Sequence, residues 1–268
     1  MLEINPQNEI FLNVPWYLRN RLSISSGTKQ VEKINGIKCV QDAFLPMAPW
    51  KKIKNPDYKV FSKNEEKLPL LGLRRLPFIL HYKFLMTGIQ KAKSLSDAQQ
   101  ISSTIQFQSA TNDLIRYLEK KSKKIGTSEP HSIYFGEPNL TTTTYNRNTK
   151  SFLGLHLDCF EAFKSSYRHS SKNRICLNLG LESRYMYVIP IRFDSIKKLL
   201  NHEQEDYTTN TTDLISQLLV KYPKFPVIRL QIDSFEYYVA GTENFIHDGS
   251  TIGTTMPDIN LAIRGFFN

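Results

Sequence analysis

Two histidines, an aspartate and an arginine in the second half of this 268-residue sequence stand where they can do chemistry. In Ser151-Phe152-Leu153-Gly154-Leu155-His156-Leu157-Asp158 the residue types alternate, with Leu153, Leu155 and Leu157 on one face of an extended chain and Gly154, His156 and Asp158 on the other. An imidazole and a carboxylate therefore project side by side. His-x-Asp alone recurs easily by chance, so its surroundings must give it meaning. A second histidine, His247, arrives where a strand pattern runs into a turn, within Phe235-Glu236-Tyr237-Tyr238-Val239-Ala240-Gly241-Thr242-Glu243-Asn244-Phe245-Ile246-His247-Asp248-Gly249. Arg264 follows seventeen residues later in Ile259-Asn260-Leu261-Ala262-Ile263-Arg264-Gly265, sharing the face opposite the Ile and Leu side chains with Asn260 and Ala262. A buried guanidinium is costly unless it meets an anion, and its planar fork suits a carboxylate.

The elements that must hold these residues follow from the hydrophobic periods. After Gly126 the period is two, and strands are predicted over 132–136, 141–146, 151–158, 174–180, 185–192, 226–232, 235–240 and 259–267. Only two short helices, near Ser195–Asn201 and Thr212–Tyr222, interrupt them. Residues 1 to about 70 are punctuated by Pro6, Pro15, Pro46, Pro49 and Pro56, which predicts short strands and extended loops wrapping a larger body. Ser94 or Ser96 can cap a helix whose apolar positions Ala98, Ile101, Ile105, Leu114, Ile115 and Leu118 continue towards Ile125-Gly126. Gln106, Gln108 and Asn112 interrupt that stripe, so one break is expected. The pattern predicts a mainly β fold with helical flanks, a sandwich or barrel. With no repeat and no Pro- or Gly-rich linker, residues 1–268 are expected to form one domain, 1–130 as an N-terminal layer and 131–268 as the core that carries the site.

Composition sets the outer limits. At 40% hydrophobic and 12% aromatic residues the chain is too apolar to be disordered. Its net charge of +10 lies wholly in residues 1–130, with 21 Lys and Arg against 11 Asp and Glu, whereas residues 131–268 hold 14 of each. Such asymmetry suits an acidic partner or a solvated basic face. The densest run, Lys120-Lys121-Ser122-Lys123-Lys124, stands at a helix end, where cations oppose the dipole. Zinc-finger spacing, an RNP-like aromatic motif and a helix-turn-helix are all missing, which disfavours a nucleic-acid partner. Cys39, Cys159 and Cys176 are too few and too irregular for a disulfide framework. No window approaches a membrane span and the first residues do not read as a signal peptide, so a cytoplasmic address without membrane partners is expected, and Asn139-Leu140-Thr141 and Asn210-Thr211-Thr212 have no route to glycosylation.

His156, Asp158, His247 and Arg264, in that order and on strands, resemble the Fe(II)- and 2-oxoglutarate-dependent oxygenase superfamily over roughly residues 130–268. The stretch Thr242-Glu243-Asn244-Phe245-Ile246-His247-Asp248-Gly249-Ser250-Thr251 also looks like the distal-histidine segment of some bacterial members. The resemblance implies a double-stranded β-helix (jelly-roll) core, Fe(II) held by His156, Asp158 and His247, and 2-oxoglutarate and O2 as co-substrates. Two imidazoles and a carboxylate on one face of a metal suit ferrous iron and leave positions open opposite. Asp248 is the poorer carboxylate for the set, because adjacent strand residues point to opposite faces. Arg264 is implied to hold the distal carboxylate of 2-oxoglutarate. An aspartate at position 158, where family halogenases carry a small residue, favours hydroxylation. In Arg174-Ile175-Cys176-Leu177-Asn178-Leu179 the even positions are polar; on an inward face Asn178 could bond 2-oxoglutarate and Arg174 a substrate carboxylate, with Tyr134 a further pocket candidate. For Asn178 the competing expectation is a buried amide bonded to neighbouring backbone. His81, His131, His169 and His202 lack such context and read as surface or structural residues. The expected substrate is an amino acid, a peptidyl residue or a related small metabolite. A non-catalytic jelly-roll binding protein is the main rival, and a nucleic-acid binder using the basic half is the other.

Overall fold

The computed structural model describes residues 12–13, 20–53, 71–122, 128–161, 168, 170–201 and 211–267. Pro6, Pro15, Pro56, Lys123, Lys124, Ile125, Gly126, His169, His202 and Asn210 lie outside the described residues. In chain order the elements are β1 (Leu12–Asn13), β2 (Leu22–Ile24), β3 (Thr28–Ile34), β4 (Ile37–Pro46), β5 (Lys51–Lys52), β6 (Leu71–Arg75), α1 (Phe78–Met86), α2 (Leu95–Ser102), α3 (Ile105–Glu119), β7 (Ser132–Gly136), β8 (Tyr145–Asn146), β9 (Ser151–Phe152), β10 (Asn173–Asn178), β11 (Arg184–Arg192), α4 (Phe193–Leu199), α5 (Thr211–Lys221), β12 (Ile228–Ile232), β13 (Glu236–Ala240), β14 (Phe245–Ser250) and β15 (Asp258–Gly265). The fold is mainly β with helices. Among the described residues no helix is long and apolar enough to cross a membrane.

Three sheets form, with strand orders β1-β6-β13-β10-β15-β7, β14-β11-β12-β2-β5 and β3-β4-β9-β8. The six- and five-stranded sheets pack face to face. Leu71, Leu73, Cys176, Tyr238 and Ala240 from the first meet Leu22, Met186, Val188, Ile228, Leu230, Ile232 and Phe245 from the second. Alternation along each strand turns the remaining side chains outward. Ile175, Leu177, Val239, Ile259, Leu261 and Ile263 pack under the helices through Leu80, Phe84, Ala98, Phe107, Leu114 and Leu118. On the other side, Tyr187, Ile189, Ile191, Val227 and Ile246 pack on Phe193, Ile196, Leu214 and Leu218 of α4 and α5. The β10 pattern read from sequence is thus realised: odd positions face helices, and Arg174, Cys176 and Asn178 face the space between the sheets.

Several boundaries differ from the sequence reading, each for a local reason. The one break expected in the helix from Ser94 is present but falls at Ser103-Thr104, ahead of Gln106, where Thr104 caps α3 by accepting from the Phe107 amide, as Ser94 caps α2 by accepting from that of Asp97. The strand expected over 151–158 is ladder-paired only at Ser151–Phe152; Gly154 takes φ +69°, and the chain resumes pairing at His156. In the first half, β6 pairs with β13 and β2 with β12, so segments expected to wrap the core also extend its two sheets. The segment around His247, expected as a turn, is the strand β14, paired with β11; Asp248-Gly249 within it carries the turn-like residue types.

Phe84 is fully buried and meets Phe107 edge to face at 5.7 Å. Phe84→Ala is expected to cost about 3–5 kcal/mol in denaturant unfolding; a loss near zero would mean that the helical layer does not belong to the cooperative core. A Cβ on Gly154 would lie 2.6 Å from the Phe44 carbonyl oxygen, whereas nothing lies within 4 Å of one on Gly36, which also has positive φ. Gly154→Ala should therefore destabilise by more than the roughly 1–3 kcal/mol of backbone strain alone, and by more than Gly36→Ala. Equal melting temperatures for the two variants would contradict this.

Candidate metal centre

His156 and His247 are held opposite one another by two backbone hydrogen bonds, His156 N–H to His247 O at 2.9 Å and His247 N–H to His156 O at 2.8 Å. Directly opposed residues of an antiparallel pair point the same way. Their rings lie 4.6 Å apart between centroids. Asp158 follows two residues after His156, its amide bonded to the Thr242 carbonyl, and so it shares that face. One ligand atom from each of the three residues lies within 4.8 Å of the others.

The second nitrogen of each ring has a backbone partner: Nδ1 of His156 is 2.8 Å from the Gly154 carbonyl and Nδ1 of His247 is 3.2 Å from that of Phe245. Only an N–H satisfies a carbonyl, so each neutral ring carries its proton on Nδ1 and turns the Nε2 lone pair inward. The His156 Nε2 is 3.6 Å from Asp158 Oδ1 and the His247 Nε2 is 3.6 Å from Asp158 Oδ2. Those separations exceed a hydrogen bond. Three acceptors thus face one another unbonded, an arrangement that a cation relieves.

Ionisation follows from burial and charge. Burial would raise the Asp158 carboxyl, but the nearby His247, His156 and Arg174 outweigh it and hold the group far below the usual carboxylate range. His247 is pushed down to about 3 by burial, against the attraction of Asp158, so it stays neutral. Burial also pulls on His156, yet the adjacent Asp158 carboxylate overrides it and raises this ring. Asp248 is raised to about 6 by burial. It accepts from Thr144 Oγ1 at 2.9 Å and from the Gly249 amide, and it lies outside the convergent cluster, as the strand alternation required.

The remaining residues named from sequence fall around this centre. Arg174 donates to Asp158 Oδ2 at 3.3 Å, and its guanidinium lies 5.5 Å from the ring of Tyr134, which is 46% exposed. Arg264 pairs in register with Arg174, but the structure gives its fork other partners. Its Nη1 donates to both oxygens of Glu129 at 3.2 and 3.1 Å, and its Nη2 to Glu161 Oε1 at 3.0 Å and Glu243 Oε1 at 3.1 Å. Asn178 is wholly engaged by backbone: its amide donates to the Glu182 and Ile232 carbonyls at 2.9 and 3.1 Å and its oxygen accepts from the Gly180 amide at 2.9 Å. His81 stacks on Phe235, and His131 lies against Phe107.

Three residues near the centre escaped the sequence reading. Arg168 donates to the Asp158 and Glu243 carbonyls at 3.4 and 3.2 Å. Glu243, 1% exposed, is raised by burial despite Arg264. Arg184 begins β11 at an inward position, two residues before Met186, and a cation in the phase of a buried strand face was the signal available for it.

No family model matches the chain, and no curated protein matches it. Among solved structures, it is similar to the apo form of the Kdo hydroxylase KdoO, described as a non-heme Fe(II) alphaketoglutarate-dependent dioxygenase, at 12% identity and TM-score 0.44, covering 73% of this chain and 79% of that one. The KdoO complex with alphaketoglutarate and Fe(III) is 11% identical over the same shares, with TM-score 0.44. AviO1 from Streptomyces viridochromogenes Tue57 is 6% identical, with TM-score 0.38, covering 73% of this chain and 89% of that one.

Proposed function

We propose that this protein is an Fe(II)- and 2-oxoglutarate-dependent dioxygenase that hydroxylates a C–H bond of a small molecule. The observation that carries this is the convergence of the His156 Nε2, the His247 Nε2 and the Asp158 carboxylate, with both Nδ1 atoms anchored to carbonyls. Two imidazoles and one carboxylate form the facial donor set that suits ferrous iron and leaves positions for a bidentate keto acid and O2. The jelly-roll core implied by the resemblance is supported by two facing sheets and by the His156–His247 bridge that closes one edge. Residues 1–268 would act as one oxygenase unit.

When bound, iron supplies the oxidative decarboxylation: 2-oxoglutarate and O2 become succinate and CO2, and the second oxygen atom enters the substrate C–H bond as hydroxyl. The chain's residues do the rest. His156, His247 and Asp158 would hold the metal, His247 as a neutral imidazole and Asp158 as a carboxylate, while Arg174 bonds the Asp158 oxygen and orients the carboxylate. Asp158 in the ligand position supports hydroxylation over halogenation. Arg174 beside the part-exposed Tyr134 supports a substrate that carries a carboxylate, an amino acid or peptidyl residue being the class we favour.

Purified protein supplied with Fe(II), ascorbate, 2-oxoglutarate and a panel of amino acids, peptides and other carboxylated metabolites should yield succinate and a product 16 mass units heavier. Metal bound without any succinate would favour the non-catalytic binding protein. His156→Ala, Asp158→Ala and His247→Ala should each lower succinate formation by more than the roughly hundredfold typical of losing a group that merely orients a ligand. Full turnover in any of them would remove that residue from the ligand set. A chelator should abolish activity, and Fe(II) should restore it.

A further inference from the structure

We propose that Arg184, and not Arg264, receives the distal carboxylate of 2-oxoglutarate, while Arg264 serves as a clamp joining the segments that surround the metal centre. This rests on the dioxygenase reading above and deepens it.

Arg264 has no room for another anion. Three carboxylates, those of Glu129, Glu161 and Glu243, converge on its two terminal nitrogens, and the ring of Phe160 lies 4.4 Å from its guanidinium carbon. Glu129 is itself shared with Lys172 at 2.7 Å. A dicarboxylate entering here would displace one of these acids and face the others. What the guanidinium does is tie Glu129 in the segment leading to β7, Glu161 after Asp158 and Glu243 in the loop before β14 to β15.

Arg184 is in the opposite condition. It is nine-tenths buried between the sheets, and its Nε has no partner among the described residues. Its remaining contacts are long: Nη1 to Asp258 Oδ2 at 3.4 Å and to Cys176 Sγ at 3.8 Å, and Nη2 to Thr143 Oγ1 at 3.5 Å. A buried cation whose paired carboxylate, Asp258, sits at long range and whose Nε donor is free still gains from a second anion.

Two strands locate this guanidinium relative to the metal. Cys176 lies two residues from Arg174, which touches Asp158, on the same face of β10. Gly249 lies two residues from His247 on the same face of β14, and a Cβ there would stand 2.6 Å from Arg184 Nη2 and 2.3 Å from Thr143 Oγ1. Both strands therefore set Arg184 one step, about 6.8 Å, along the inner face from the ligand triad. A five-carbon keto acid chelated at the triad can bridge that step. The bare backbone at Gly249 gives the guanidinium its place. Charge agrees as well: Arg174, Arg184 and a divalent metal face Asp158 and Asp258, which leaves an excess that a dianion neutralises.

The test is calorimetric titration of the Mn(II)-loaded protein, without turnover, with 2-oxoglutarate and with 2-oxopentanoate, in which a methyl replaces the distal carboxylate. The wild type should prefer 2-oxoglutarate. Arg184→Gln should remove that preference, ten- to a hundredfold, by weakening 2-oxoglutarate alone and leaving Mn(II) affinity and 2-oxopentanoate binding in place. Arg184→Lys should keep part of it, and Gly249→Ala should reduce it without touching any charge. Arg264→Gln should retain the preference. The reverse, loss in Arg264→Gln with retention in Arg184→Gln and Gly249→Ala, overturns the assignment. Wild-type protein that binds Mn(II) but not 2-oxoglutarate overturns the dioxygenase reading itself, a result separate from either outcome in the variants.

Discussion

Two backbone hydrogen bonds between His156 and His247 are the contact on which the site depends. They join a segment that has just left its ladder at Gly154 to an edge strand 90 residues later, and they set two imidazoles facing the same way. Among the described residues between Phe152 and Asn173 no other strand pairing holds the segment in place. The positive φ at Gly154 and its close approach to the Phe44 carbonyl let the chain turn into this bridge. The carbonyls of Gly154 and Phe245, each two residues before its histidine, then choose the tautomer of both rings. Geometry and protonation at the centre are therefore backbone properties.

Around that bridge the protein gives each of three neighbouring cations its own set of partners. The inner face of the six-stranded sheet carries Arg174 and Arg264 side by side in register, and Arg184 reaches the same space from the facing strand β11. Each guanidinium is disposed of differently: one bonds a ligating carboxylate, one is surrounded by three glutamates, and one is left with long contacts and an unpaired Nε. The interior outside this polar strip is made of aliphatic and aromatic side chains, so each unmet charge there is expensive. The outer faces bear the stabilising burden, with helices α1–α3 on one sheet and α4–α5 on the other. Rigid strands on both sides of the strip hold the polar groups to positions that loops would not.

The period-two pattern of residues 132–267 exposed most of the strands, because each buries a different face against a different layer and so alternates in residue type. It failed in two places. At β14 and the residue before it, Asn244, Asp248 and Gly249 look like turn residues, yet Asn244 and Asp248 are buried and the segment pairs with β11. Along 141–158 two strands are predicted, but ladder pairing covers only Tyr145–Asn146 and Ser151–Phe152, with Gly154 turning at φ +69°. The excess of basic residues in the first half was visible in composition, but composition could not say that β2 and β6 from that half would extend the two facing sheets.

The residue types and order of His156, Asp158 and His247 were legible in the sequence, because an extended His-x-Asp segment puts both side chains on one face; the bonds to His247 and Thr242 keep it extended. Which arginine is free to meet an anion was decided only in three dimensions. Arg264 has the spacing of a carboxylate receptor, but Glu129, Glu161 and Glu243, scattered over more than a hundred residues of chain, fold onto it and fill its fork. Arg184 has no spacing to recommend it, and becomes available because the strands that surround it supply a glycine, a thiol and a threonine where a second carboxylate would have closed the site. Covalent sequence sets what a side chain can bond; only packing sets whether its partners have already arrived.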